Sequence, residues 1–271
     1  MRSKARLAAS KKKRHRICVL FSCSRFVYPE TIHMEATLMI PKASGNWWQR
    51  LKSLWPFGKK HHHIKVPAVI QKAPGIMLGN RLVKSILFST DAAVIAYCDA
   101  DAVLAVYPFA PSEQVMVAVA HVANRPVICG VGGGLTKGKQ SIEMARFAEA
   151  SGAAGVVVNQ PAAPELIAAL KTAIAIPVVN SVASAGVNIE ERLRAGVDIF
   201  NVSAGKDTAS IVAAIRQHDP DVPIIATGGK TDSDILAVIK AGAGAITFTP
   251  PTPAQLLKHV MSRYREGKNS L

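Results

Sequence analysis

Residues 222–248 read VPIIATGGKTDSDILAVIKAGAGAITF. A proline opens a short apolar run, and two glycines end it. Polar residues then lead into a helical pattern, DSDILAVIKA, which stops at a glycine before a second apolar run. The stretch is strand, loop, helix, strand. A proline at the head of a strand does little harm with its missing N–H, and a glycine just past a helix lets the chain turn out of it.

Both halves of the unit recur. The proline phrase appears as RPVICG (125–130), IPVVNS (176–181) and VPIIAT (222–227). The glycine phrase appears as SGAAGVVV (151–158), AGVDIFNV (195–202) and AGAGAITF (241–248), with DADAVLAV (99–106) as a looser copy. The two alternate, and Pro126, Pro177 and Pro223 lie 51 and 46 residues apart, so each period holds two strand–helix units. Counted out, the strands are 84–89, 103–108, 126–131, 155–160, 177–182, 198–203, 223–228 and 245–249. Strands that alternate strictly with helices build a parallel sheet, and this count closes it into a (β/α)8 TIM barrel. An open doubly wound sheet is the alternative. The barrel is expected over residues 64–271.

Composition agrees. Of 271 residues, 49% are apolar and 6% aromatic, which suits buried parallel strands under close helices. The net charge of +15 is unevenly placed: residues 1–65 hold 15 Lys and Arg against Glu30 and Glu35, whereas residues 66–271 hold 18 against 16 Asp and Glu. The barrel is therefore near neutral, which argues against nucleic acid as its partner. Cys18, Cys23, Cys98 and Cys129 form no CxxC pair and imply no disulfide framework, so a reducing, cytoplasmic setting is expected.

Residues 1–63 read as a basic N-terminal extension. Residues 1–33 carry KKKRHR and little periodicity and are expected to be disordered; Met34 offers an internal start. Over 46–57, Trp47, Trp48, Leu51, Leu54 and Trp55 form an apolar stripe at helical spacing. The stripe fits peripheral membrane contact through Trp47, Trp48 and Trp55, or a short helix docked on the barrel. His61, His62 and His63 read as a solvated linker.

Barrel function sits at the carboxyl ends of the strands. Asp91 is the acidic residue immediately after a strand end and is the candidate general base. Lys137 and Lys206 are candidates for stabilising an enediolate or serving as the acid. Asn159, Asn180 and Asn201 end three successive strands and suggest a polar floor for an oxygen-rich ligand. Cys129 reads as a buried thiol rather than a nucleophile. His121, His218 and His259 all fall in helical patterns, so no metal site is expected. The loop CGVGGGLTKGKQ (129–140) lacks the spacing of a nucleotide P-loop; it reads either as a lid carrying Lys137 to an anion or as a solvated turn.

The stretch IIATGGKTDSDILAVIKAGAGAIT (224–247) resembles strand seven, glycine loop, helix and strand eight of the phosphate-binding TIM barrels: the ribulose-phosphate-binding barrels, sugar-phosphate epimerases and thiazole-synthase-like enzymes. The resemblance implies a phosphate held at Thr227, Gly228 and Gly229, with further donors after strand eight. Glycines do let backbone N–H groups approach an anion. Here FTPPTP departs from the pattern, since Pro250 and Pro251 have no N–H to give; Thr249 and Thr252, with a helix starting at Thr252–Pro253, are the substitutes. The implied activity is isomerase, epimerase or lyase chemistry on a small phosphorylated metabolite, without a cofactor, in a chain that is free to form a homo-oligomer. The alternatives are a hydrolase on the same barrel, a non-catalytic phosphometabolite-binding barrel and an FMN-binding oxidoreductase.

Overall fold

The computed structural model describes residues 64–107, 109–110 and 112–267. The expectations placed on residues 1–63, including the Trp47, Trp48 and Trp55 stripe, lie outside them.

The strands are β1 (Ile76–Leu78), β2 (Arg81–Val83), β3 (Ser85–Phe88), β4 (Ala102–Ala105), β5 (Val127–Gly132), β6 (Gly155–Val158), β7 (Val178–Val182), β8 (Ile199–Val202), β9 (Ile224–Thr227) and β10 (Ala245–Phe248). The α-helices are α1 (Ala92–Tyr97), α2 (Glu113–Ala123), α3 (Gly138–Ala150), α4 (Pro164–Ala173), α5 (Ile189–Arg194), α6 (Thr208–His218), α7 (Asp232–Lys240) and α8 (Pro253–Arg265). Strands β3 to β10 are parallel and pair in chain order, and β10 returns to β3 to close the barrel. The fold is a (β/α)8 TIM barrel, and each barrel strand begins within one residue of its expected start.

The repeat has a hydrogen-bonding meaning. Pro126, Pro177 and Pro223 give no N–H, yet their carbonyls accept from Val103, Val156 and Phe200 on the preceding strands at 2.9–3.0 Å. The N–H groups of Ala154, Asp198 and Gly244 then bond to Val127, Val178 and Ile224 at 2.8–3.0 Å. Between those rungs Gly152, Gly196 and Gly242 take φ of +84°, +95° and +114°, turning the chain from each helix into the next strand. The same proline and glycine thus recur at the same rung of alternate strands.

The lower end of the barrel is plugged by the β1–β2 hairpin, which sequence periodicity does not show. Ile76, Leu78 and Val83 are buried with Ile86, Leu104, Ile128, Val157, Val179, Ile199 and Ile225 in one interior cluster. Gly75 N–H bonds to the Gly244 carbonyl at 2.8 Å, which fixes the hairpin under β10. The other core lies between sheet and helices.

Charged groups cluster at this amino-terminal end. Asp101 accepts from Lys84 N–H, Ser85 N–H and Ser85 Oγ at 2.8–3.0 Å. Asp198 accepts from Val178 N–H at 2.7 Å and from Lys171 Nζ at 2.8 Å. Glu149 accepts from the Ala175 and Ile176 N–H groups. These carboxylates fasten the turns that enter the strands, and so are committed far from the open end.

Candidate functional site

Side chains alternate along a strand, so the interior cluster fixes what lies one step further up. Beyond Ile86, Leu104 and Ile128 come Phe88, Val106 and Gly130. Beyond Val157, Val179, Ile199, Ile225 and Ala245 come Asn159, Ser181, Asn201, Thr227 and Thr247. Over β3 to β5 the barrel mouth is apolar or bare, and over β6 to β10 it is an arc of neutral amides and hydroxyls. Asn201 and Thr247 are 6% and 7% exposed. Asn201 Nδ2 donates to Ser181 Oγ at 3.0 Å. Asn201 Oδ1 and Thr247 Oγ1 are buried with no hydrogen-bond partner. Such atoms cost stability unless something meets them, and both belong to residues that face the mouth.

The expected amide floor divides. Asn159 and Asn201 share the mouth, but Asn180 has the opposite facing. It alternates with the interior residue Val179 and lies with Val178 and Val182 on the helix side of β7. It is fully buried there, with Nδ2 donating to the Val158 carbonyl at 3.3 Å. Ser181 and Thr247, not Asn180 and Thr249, stand at the mouth. Thr249 is exposed in the loop beyond β10.

Asp91 is the N-cap of α1. Its Oδ1 accepts from Val94 N–H at 2.8 Å, and its own N–H bonds to Ser89 Oγ. Lys206 is exposed on a 3-10 turn, Gly205–Asp207, and borders a groove of about 560 Å³ shared with Thr208, Thr227, Gly228 and Gly229.

The double glycine has a packing explanation. A Cβ on Gly228 would lie 2.7 Å from Ile246 and 2.8 Å from Ile235, so only glycine lets α7 sit this close to β10. Gly229 turns at φ +79°, and a Cβ there would lie 2.5 Å from Asp234 Cβ. The Lys230 and Thr231 N–H groups donate to Asp234 Oδ2 at 3.2 and 3.0 Å, and Thr231 Oγ1 accepts from Asp234 N–H. This capping box fills the start of α7 with the helix's own carboxylate. The Thr231 hydroxyl and those N–H groups hold the Asp234 carboxyl below the ordinary range, so it is an anion at neutral pH. A phosphate at Gly228–Gly229 would meet that charge. The start of α8 is closed likewise by Thr252 and Gln255.

The β5–α3 loop differs. Lys137 is the N-cap of α3 and supplies no side-chain hydrogen bond to it. Beside the loop lies a cavity of about 150 Å³ lined by Val106, Tyr107, Phe109, Gly130, Gly132, Gly134, Leu135, Thr136 and Asn159. It opens on the apolar side of the mouth and meets the polar arc at Asn159. Tyr107 OH, Thr136 Oγ1 and Ser141 Oγ are buried without hydrogen-bond partners. Burial pushes the Tyr107 phenol well above its usual range, and neighbouring Cys129 adds to the shift. Burial also pushes the Cys129 thiol up to about 11. Cys129 should therefore remain a thiol at pH 8. Native-state labelling with iodoacetamide, mapped by peptide mass, should modify Cys129 at least about tenfold more slowly than in urea; equal rates would mean an accessible thiolate.

Among the described residues, no three His, Cys, Asp or Glu side chains gather where they could hold a metal ion, and no helix is long and apolar enough to cross a membrane.

No protein-family model matches the sequence, and a search of curated proteins returns no match. Solved structures do match. A phosphoenolpyruvate phosphomutase from Streptomyces platensis subsp. rosaceus is similar with a TM-score of 0.52 at 15% identity, over 74% of this chain and 86% of that one. The 4-hydroxy-tetrahydrodipicolinate synthase of Methylacidiphilum fumariolicum SolV gives 0.51 at 14%, over 69% and 75%. A 2,3-dimethylmalate lyase of the PEP mutase/isocitrate lyase superfamily gives 0.50 at 13%, over 73% and 82%. The likeness is one of fold. It is compatible with the phosphate-binding TIM barrels that the sequence around Gly228 resembles, without selecting one family among them.

Proposed function

We propose that this barrel is an enzyme that binds a small, oxygen-rich phosphorylated metabolite in the mouth above Asn201 and Thr247, and carries out lyase- or isomerase-type proton transfer there. The observation that carries the reading is the pair of buried, unpartnered atoms, Asn201 Oδ1 and Thr247 Oγ1, above a barrel plugged from below. Burying such groups is unfavourable for folding alone and is repaid when a ligand's hydroxyl or amide donates to them. The fold likeness to a phosphomutase, a lyase and a synthase supports an enzyme.

Asn159, Ser181, Asn201, Thr227 and Thr247 bind and orient. None of them moves a proton at neutral pH, so acid–base work falls to the rim: Asp91 as base, with Lys206 beside Thr227 to neutralise developing negative charge. Asp91→Asn is a clean test, because asparagine caps a helix as well as aspartate. In a screen of phosphorylated hydroxy- and keto-acids and sugar phosphates, read by solvent-deuterium exchange in NMR, one class should exchange. Asp91→Asn should then slow that exchange by about ten- to a hundredfold without lowering the melting temperature. Exchange at full rate in the variant would remove Asp91 from the chemistry. Saturable binding without exchange by any compound would favour the second reading, a non-catalytic binding barrel, which draws its support from the neutrality of the polar arc.

A further inference from the structure

The barrel has three loops that start a helix near its mouth and that sequence or geometry marks for an anion. Two are already closed by their own side chains: Asp234 accepts the Lys230 and Thr231 N–H groups, and Gln255 accepts from Thr252. The third is the β5–α3 loop. Its helix has 13 residues and no side-chain cap. The first N–H groups of an α-helix have no partner within the helix and favour negative charge.

Independent of the helix end, three buried hydroxyls without hydrogen-bond partners belong to residues that line the cavity or begin the helix. Thr136 is 2% exposed, lines the cavity beside the loop, and its Oγ1 has no partner. Tyr107 lines the same cavity, and its hydroxyl too is buried and unpartnered. Ser141, in the first turns of α3, is fully buried with an unpartnered Oγ. A Cβ on Gly132 would lie 2.2 Å from that oxygen, so glycine is what admits the helix start to the strand end. Lys137 stands exposed at the N-cap itself.

We infer that the cavity between Tyr107, Thr136 and the start of α3 is an oxyanion subsite that holds the phosphate group of the ligand. The inference deepens the proposed function and rests on it for the identity of that ligand, but not for the existence of the subsite. Size is in keeping: about 150 Å³ falls below the roughly 300–1,000 Å³ of pockets that enclose whole ligands, so this is a place for one group of a molecule. The rest of that molecule would pass Asn159, which lines the cavity, to reach the polar arc. The donors suit an anion. Tyr107 remains protonated at neutral pH, since burial raises its pKa, and so offers O–H; Thr136 offers O–H; the helix start offers N–H; Lys137 offers charge. Hydrogen bonds to an ionised acceptor are about twice as strong as neutral ones.

The test uses the full-length protein and inorganic phosphate. On titration, the 15N-amide resonances of residues 132–139 should shift and saturate. Thr136→Val and Tyr107→Phe should each weaken phosphate binding by about tenfold. Thr136→Ser, which keeps the hydroxyl, should restore it, which separates loss of the donor from damage to the loop. Saturating shifts at Gly228–Thr231 or Thr252–Gln255 instead would overturn the inference, and so would the absence of saturation anywhere. Phosphate held at residues 132–139 by a protein that exchanges no substrate deuterium would leave the subsite standing and remove only the catalytic reading.

Discussion

Leu78→Ala should lower the free energy of unfolding by about 2–5 kcal/mol, the range for deleting a buried leucine side chain. Leu78 is 1% exposed and packs in the interior cluster with Ile86, Leu104 and Ile128. A three-residue strand paired to one other has almost no stability of its own; the hairpin is held because it fills the barrel floor. Removing the isobutyl group leaves a void that rigid strands cannot close, so the cavity term adds to the lost transfer energy. Met77, on the same strand, is 57% exposed, and Met77→Ala should change stability by less than about 0.5 kcal/mol. Urea unfolding followed by circular dichroism reads both, with the midpoint falling for Leu78→Ala at constant slope. Equal costs for the two variants would show that the hairpin does not seal the floor.

The hairpin also marks where the sequence stops being readable. Barrel strands were legible because Pro126, Pro177 and Pro223 recur at one rung and Gly152, Gly196 and Gly242 end the helices before the next. Strands of three residues show no such period, and the contacts that hold β1 and β2 come from residues far along the chain. Facing was illegible for a different reason. Parallel strands are apolar on both sides, so PVVNSV and DIFNVS give no sign that Asn180 turns to the helices while Asn201 turns to the mouth. Only the closed barrel, by assigning Val179 and Ile199 to its interior, separates them. Thr247 lay unnoticed inside AITF for the same reason. The double glycine was visible, but its cause was not: Ile235, Ile246 and Asp234 crowd Gly228 and Gly229, and that crowding is a tertiary fact.

Asn201→Leu and Thr247→Val should each leave the protein as stable as before or about 1 kcal/mol more stable, while ligand binding in the mouth is lost. The two expectations have one cause. Asn201 Oδ1 and Thr247 Oγ1 are buried without partners in the protein, so no hydrogen bond from the chain itself offsets their desolvation. Leucine and valine keep the branching and heavy-atom count of the replaced side chains and remove the unsatisfied atoms, so folding should not suffer. Asn201 Nδ2 does bond to Ser181 Oγ, which sets a limit on the gain at that position; Ser181 is part-exposed and can turn to water. Binding moves the other way. A ligand donor that met either oxygen would be left unpaired against a hydrocarbon surface, at about 2–4 kcal/mol, or about 30- to 1,000-fold in affinity. Thermal melts with and without the metabolite that exchanges deuterium give both numbers: the unliganded melting temperature should hold or rise, and the ligand-induced rise should vanish. A fall in the unliganded melting temperature with the ligand response intact would make the two residues part of the core and move the site off the polar arc. Stability held, with the ligand response intact, would equally show that the ligand does not reach β8 and β10. The opposed signs are what distinguish a binding surface from a packing defect, because a residue kept for packing cannot be replaced by an apolar residue of its own branching with gain in one measurement and loss in the other.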